Sequence, residues 1–337
     1  MKDRYFCFER VLGDQDLAVT RAALRSADRY EMFVNKPMAD GFAAGLVSRH
    51  DVAREFLRTG GLSGRPVDLR NLADRVNFFR ATFAYGSRVT LPGIEPFASS
   101  AGFAEAAREL YSCTIVEPAI VFANLALPGQ EIGIHTDVPE FRGFSRDNAP
   151  EWLLVVMHHS GLFAAERVRI ATGIAWFSEA RGGNLYCWPQ GPQGPAEVVE
   201  IADNGGILLD TDSVFHAVAP VAWTRGSERP EVEIGAALAW DHDRQRWAIR
   251  FRNCELATLA AEDVRISISW KAWCFADQRE RAQVKAGENG LTLDRVLARL
   301  RRDLADRGRL PCAEPVAETE LAVLLIDEYL RFPQVRA

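Results

Sequence analysis

Apolar positions in the first third of the chain recur at three- and four-residue spacing. They do so through DQDLAVTRAALRSADRYEMF, DGFAAGLVSRHDVAREFLRTG and LRNLADRVNFFRATFAYG, a period that predicts amphipathic helices. SSAGFAEAARELYS adds another helix, with Ser99 or Ser100 as its N-cap. The period then changes. TIVEPAIVFANLALPG, RVRIATGIAWF, GGNLYCWP, AEVVEIADNGGILLD, EIGAALAWD, RWAIRF and RISISWKAWCF are short β-rich runs punctuated by Gly, Pro, Asn and Asp. Helical spacing returns in LTLDRVLARLRRDLADRG and ETELAVLLIDEYLRF. These patterns predict a helical part over residues 1–112, a β-core over about 113–276 and C-terminal helices over about 290–332. No linker-like stretch parts them, so a single domain is expected, mainly β at its centre and α+β overall.

Composition narrows the partners more than the chemistry. The 337 residues are 48% hydrophobic and 26% charged, with a net charge of −6, and so provide no positive field to gather nucleic acid or an anionic membrane surface. Arg299, Arg301 and Arg302 lie on a charged helix whose solvated face accounts for them. The N-terminal MKDRYFCFERVLGD is broken by charges, unlike a signal peptide, and no apolar run approaches the roughly 20 residues of a membrane helix. The six cysteines are scattered without a CxxC pair, as reduced structural thiols are. A cytoplasmic protein with a small-molecule substrate is expected, with neither nucleic acid nor membrane as partner. The oligomeric state is left open, because the apolar C-terminal helix could pack on the core or on a second subunit.

Candidate chemistry concentrates in His135-Thr136-Asp137 and the more distant His216, both in segments that read as β-structure. In extended chain, residues i and i+2 share a face, so His135 and Asp137 can reach one ion together. Two imidazoles and one carboxylate with open coordination positions form the ligand set of non-haem Fe(II) centres that bind a cosubstrate and O2. His158 and His159 are adjacent, so they cannot readily chelate one ion and are expected to be structural. His242 in WDHDRQRW and His50 in SRHD read as surface residues.

The order of features around this triad is informative: the turn Leu127-Pro128-Gly129-Gln130, then His135-X-Asp137, then the Gly182-Gly183-Asn184-Leu185 strand, Gly205-Gly206 leading to His216, and Arg265-X-Ser267 on a late strand. Over residues 120–275 this order resembles the Fe(II)/2-oxoglutarate-dependent dioxygenases. The resemblance implies a double-stranded β-helix (a cupin-like jelly roll) wrapped by the terminal helices. It also implies metal ligation by His135, Asp137 and His216, with 2-oxoglutarate as cosubstrate and O2 as oxidant. Arg265 would take the distal carboxylate of 2-oxoglutarate, with Ser267 beside it, since a guanidinium offers two parallel N–H donors. The interval between His216 and Arg265 exceeds the family's usual spacing. VEIGAALAWDHDRQRWAIRFRNCELATLAAED is read as an inserted hairpin and loop that lengthens it. Arg225, much nearer to His216, competes for the role, although TRGSERP reads as an exposed turn.

Other assignments are expectations of the same kind. Asn124, an amide amid apolar neighbours, either contacts the cosubstrate or is satisfied within the core. Trp176 either lines the cavity or belongs to the plain core. The segment VPEFRGFSRDNAP supplies Glu140 and Arg142 as substrate contacts, Arg142 being the first choice for a substrate carboxylate. Asp137 argues against halogenation, for which the family replaces this acid by a small residue. Hydroxylation, desaturation or oxidative cyclisation of a small polar substrate is left, an amino acid or a natural-product intermediate for example. A cupin-like metal enzyme that does not use 2-oxoglutarate, and a jelly-roll binding protein without catalysis, are the alternatives.

Overall fold

In the computed structural model, the described residues are 5–33, 49–65, 75–223, 232–252, 254–287, 290–310 and 318–334. The strands are, in chain order, β1 (Tyr5–Phe8), β2 (Tyr30–Met32), β3 (Phe79–Tyr85), β4 (Arg88–Val89), β5 (Ile115–Ala126), β6 (Ile132–His135), β7 (Glu140–Phe141) and β8 (Arg167–Trp176). They continue with β9 (Leu185–Trp188), β10 (Glu197–Val199), β11 (Gly206–Leu209), β12 (Phe215–Val218), β13 (Ala237–Asp241), β14 (Arg246–Phe251), β15 (Cys254–Leu259) and β16 (Arg265–Phe275).

From β5 onward, the chain passes back and forth between two sheets. β5, β8, β11 and β16 lie in the larger sheet, in the order β11-β8-β16-β5; β6, β9, β10 and β12 form the smaller one, in the order β10-β9-β12-β6. This alternation of antiparallel strands is a double-stranded β-helix. Trp176 and Ile207 of the larger sheet cluster with Leu185, Cys187 and Val218 of the smaller, so the inner faces meet in one apolar layer. On the outer face of the larger sheet, Ile268 and Trp270 pack with Phe97, Phe103 and Ala107. Those three belong to the helices Glu95–Ala98 and Ala101–Tyr111. Ser100 caps the second of these, its hydroxyl accepting from the Phe103 N–H.

The larger sheet extends past the β-helix on both sides: β1 pairs with β11, while β3, β2 and the meander β13-β14-β15 continue beyond β5. That meander is the expected insertion between His216 and Arg265, and it lengthens the chain without disturbing the strand order. His242 sits exposed in its first turn.

The N-terminal part departs from expectation. Tyr5–Phe8, Tyr30–Met32 and Phe79–Tyr85 are strands, although helical spacing covered two of these segments. FFRATFAY satisfies both periods, and pairing with β5 decides between them: Phe79 and Phe83 turn into the core while Phe78, Arg80 and Thr82 turn to the opposite face. Helices are found at Asp14–Ser26 and His50–Thr59; the remainder of the segments read as helical there lies partly outside the described residues.

Between β7 and β8 stands the helix Glu151–Ser160, whose residues Trp152 to Met157 are all buried. A helix apolar on every side must be covered on every side. It is covered by the C-terminal helices Leu293–Asp306 and Glu318–Tyr329 through Val296, Leu300, Leu304, Leu325 and Ile326. Each such side chain contributes about 1.5–3 kcal/mol relative to exposure. The C-terminal helix thus packs within its own chain. Among the described residues, no helix is long and apolar enough to cross a membrane.

Candidate metal centre

Register brings the two histidines together. His216 pairs directly with His135 on β6 and with Cys187 on β9, so all three share the inner face of the smaller sheet. Asp137 lies two residues past the end of β6, where its backbone N–H donates to the Thr211 carbonyl. The carboxylate is thereby returned to the side of His135, and one ligand atom from each of the three residues lies within 4.8 Å of the others. Asp137 Oδ1 is 3.7 Å from His135 Nε2 and 3.8 Å from His216 Nε2.

The orientation of each donor is fixed by a neighbour. His135 Nδ1 lies 2.8 Å from the Gly133 carbonyl and His216 Nδ1 lies 2.9 Å from that of Val214. A carbonyl only accepts, so Nδ1 carries the proton and Nε2 presents its lone pair to the centre. Burial lowers the pKa of both imidazoles against the opposing pull of Asp137, that of His135 to about 3. For Asp137, burial pulls upward, but the Lys271 ammonium and the two imidazoles outweigh it and hold the carboxyl well below its ordinary range. Neutral imidazoles and an ionised carboxylate are the states a divalent metal requires, so the donor set fits Fe(II).

Lys271 was not apparent as a site residue. Its ammonium donates to Asp137 Oδ2 at 2.6 Å, to Thr172 Oγ1 at 3.0 Å and to Thr211 Oγ1 at 3.4 Å. The signal was available in the alternation of RISISWK: Arg265, Ser267, Ser269 and Lys271 occupy one face of β16. Arg49 is a further cation beside the triad. It donates to the Thr136 carbonyl at 2.9 Å and to both oxygens of Asp51.

Deeper along β16, Arg265 is buried, with Nε donating to the Gly183 carbonyl at 2.8 Å and Nη1 to Ser267 Oγ at 3.1 Å. Among the described residues no carboxylate pairs with it, and burial lowers its pKa to about 10. Gly183 has φ +67, and a Cβ there would come within 2.5 Å of Arg265 Cδ, so the GG signature makes room for this side chain. Arg225 lies outside the described residues. Asn124 and Trp176 occupy positions directly opposite Ser267 on the two strands flanking β16. Asn124 Oδ1 accepts from Arg80 Nε at 2.8 Å. The Trp176 indole N–H is buried without a partner among the described residues.

Two of the expected substrate contacts, Arg142 and Glu140, bond to other parts of the chain. Arg142 donates to the Ala165 carbonyl, and Glu140 accepts from the Trp273 indole at 2.9 Å. Phe141 and Phe144, on the same segment, are buried in the helical cluster, which ties the segment down. His158 and His159 also stand apart, near Ser213 Oγ and Thr136 Oγ1 at 3.0 and 3.2 Å.

No family model matches the sequence, and no curated protein does. The solved structures to which the chain is distantly similar include non-haem 2-oxoglutarate enzymes. The chain is similar to the epimerase SnoN of nogalamycin biosynthesis (9% identity, 81% of this chain and 79% of that one, TM-score 0.40). It is also similar to the carbocyclase SnoK of the same biosynthesis (10% identity, 81% and 80% covered, TM-score 0.40). HygX from Streptomyces hygroscopicus, solved with nickel, 2-oxoglutarate and hygromycin B, gives 8% identity, 81% and 84% covered and a TM-score of 0.39. These likenesses are distant, and the chemistry assigned to this chain rests on its own residues.

Proposed function

We propose that this protein is an Fe(II)- and 2-oxoglutarate-dependent oxygenase that oxidises an unactivated C–H bond of a small polar molecule. The observation that carries this reading is the pairing, on the inner faces of one β-helix, of the His135-Asp137-His216 cluster with an Arg265 guanidinium that no carboxylate among the described residues pairs with.

In this reading His135 and His216 hold the metal through Nε2 and Asp137 through Oδ1. Arg265 binds the distal carboxylate of 2-oxoglutarate, with Ser267 completing the donor set. A buried guanidinium without a counter-ion is costly to the folded chain, and an incoming carboxylate offsets that cost. Trp176 offers a further donor on the same face through its indole N–H, which has no partner among the described residues. The iron, when bound with 2-oxoglutarate and O2, supplies oxidising power that no side chain of this protein possesses. The protein's own part is to hold the reactants in one geometry and to exclude water. His216 is only 5% exposed, which suits a small group entering between the sheets better than a large surface docking upon them. Retention of a carboxylate at residue 137 favours hydroxylation, desaturation or oxidative cyclisation.

The test is anaerobic addition of Fe(II) and then 2-oxoglutarate. The expected result is a weak visible absorption band that needs both additions, followed on admitting O2 by succinate release that increases with a competent amino acid or related metabolite. Metal-loaded protein that takes up no 2-oxoglutarate would refute the reading.

A further inference from the structure

The larger sheet carries a second guanidinium that no acid among the described residues pairs with. Arg80 on β3 stands opposite Asn124, which stands opposite Ser267, so these residues form a row on the same inner face as Arg265. Its guanidinium is enclosed by aromatic rings: the carbon lies 4.4 Å from the Phe33 centroid, 5.2 Å from that of Phe78 and 4.2 Å from that of Phe122. Phe33 and Phe78 are themselves stacked, with centroids 4.9 Å apart. Such rings favour the cation and fix the plane of the guanidinium while offering it no hydrogen bond.

Bonding capacity is left over. Nε is used by Asn124 Oδ1. No partner among the described residues takes Nη1 or Nη2, and these two nitrogens present parallel N–H groups with the spacing of a carboxylate. The other cations beside the triad are occupied: Lys271 by Asp137, Arg49 by Asp51. Burial lowers the Arg80 pKa to about 10, with smaller contributions from the charges of Asp137, Arg146 and Glu151, so Arg80 is cationic at neutral pH.

We propose that Arg80 is the anchor for a carboxylate on the prime substrate, held in the plane set by Phe33, Phe78 and Phe122, while Arg265 serves the cosubstrate. This rests on the oxygenase reading and deepens it: the substrate is a carboxylic acid, and the site distinguishes it from a neutral analogue. Arg80 is placed in that role ahead of Arg142 because Arg80 shares the inner face with Arg265, whereas Arg142 bonds the Ala165 carbonyl.

The experiment uses the full chain, loaded anaerobically with Fe(II) and saturated with 2-oxoglutarate. Calorimetry then compares a panel of small aliphatic and aromatic carboxylic acids with their primary amides. The wild type is expected to bind at least one acid about tenfold or more tightly than its amide, the scale of a charge-assisted pair. Arg80→Met loses that preference, and Arg80→Lys, which keeps the charge without the fork, loses most of it. Both variants keep the affinity for 2-oxoglutarate within about twofold. Circular dichroism identifies any variant that has not folded, in which case the remaining one decides. Three results overturn the proposal: a wild type that binds no acid in preference to its amide, a folded variant that keeps the preference, or a variant that weakens 2-oxoglutarate as Arg265→Met does. A wild type that takes up no 2-oxoglutarate instead removes the oxygenase reading, and the panel on metal-loaded protein still judges Arg80.

Discussion

Lys271 Nζ lies 2.6 Å from Asp137 Oδ2, so Oδ1 is the carboxylate oxygen turned to both imidazoles. One lysine therefore selects which oxygen is offered to a metal and holds the other away. Because Thr172 and Thr211 take its remaining protons, the ammonium is itself fixed. Replacing Lys271 by Met should weaken Co(II) or Fe(II) binding by about tenfold or more, as loss of an outer partner does at other metal sites. Competition against a chelator measures this, and an unchanged affinity would show that Lys271 does not orient Asp137.

The ligands themselves should behave differently from Lys271. His216→Ala and Asp137→Ala are each expected to abolish stoichiometric Fe(II) binding while leaving the far-ultraviolet circular dichroism intact, because the inner layer around Trp176 and Leu185 does not depend on them. Iron binding that survived both substitutions would remove these residues from the centre.

Gly183→Ala tests the approach of Arg265 without touching its charge. A Cβ at 2.5 Å from Arg265 Cδ, added at φ +67, must displace the guanidinium or strain the backbone, at a cost of about 1–3 kcal/mol. The 2-oxoglutarate dissociation constant should rise by roughly tenfold and the melting temperature should fall. If both stayed at wild-type values, the fit between the GG strand and Arg265 would have no functional weight.

Acid should destabilise the fold through His158 and His159. Burial, aided by Arg167, lowers their pKa values from 6.5 to about 3 and about 4. The folded values lie below those of the unfolded chain, so the unfolded chain binds more protons in the window between them. The contribution is fully present above pH 6.5 and is lost progressively as the pH falls toward 3. Urea unfolding of metal-free protein at pH 7 and pH 5 should show the loss. The double variant His158→Asn, His159→Asn should show a shallower slope, and an equal slope would point to other groups.

Much of the metal centre was legible before folding. A His-X-Asp at a strand end, a later histidine in a β-rich run and an Arg-X-Ser on an alternating strand are local patterns, and extended chain places i and i+2 on one face whatever lies around it. The long interval before Arg265 was readable too, as an inserted hairpin and loop, because Asp241 to Arg246 has the composition of a turn between two strands; the third strand, β15, came only with the structure. Arg80 was hidden for a different reason. FFRATFAY carries apolar residues at spacings that satisfy helix and strand alike, and only its partner, β5, decides which residues face inward.

What the sequence determined by itself were the residue types and their local faces: two imidazoles, a carboxylate, and cations on alternating strands. Tertiary structure alone decided which cations are spent and which are free. That depends on contacts between residues far apart in the chain, such as Lys271 with Asp137, Arg49 with Asp51 beneath Thr136, and Arg142 with Ala165. Charge is written in the sequence. Its neutralisation is a matter of distance, and distance is set by the pairing of strands and the packing of sheets.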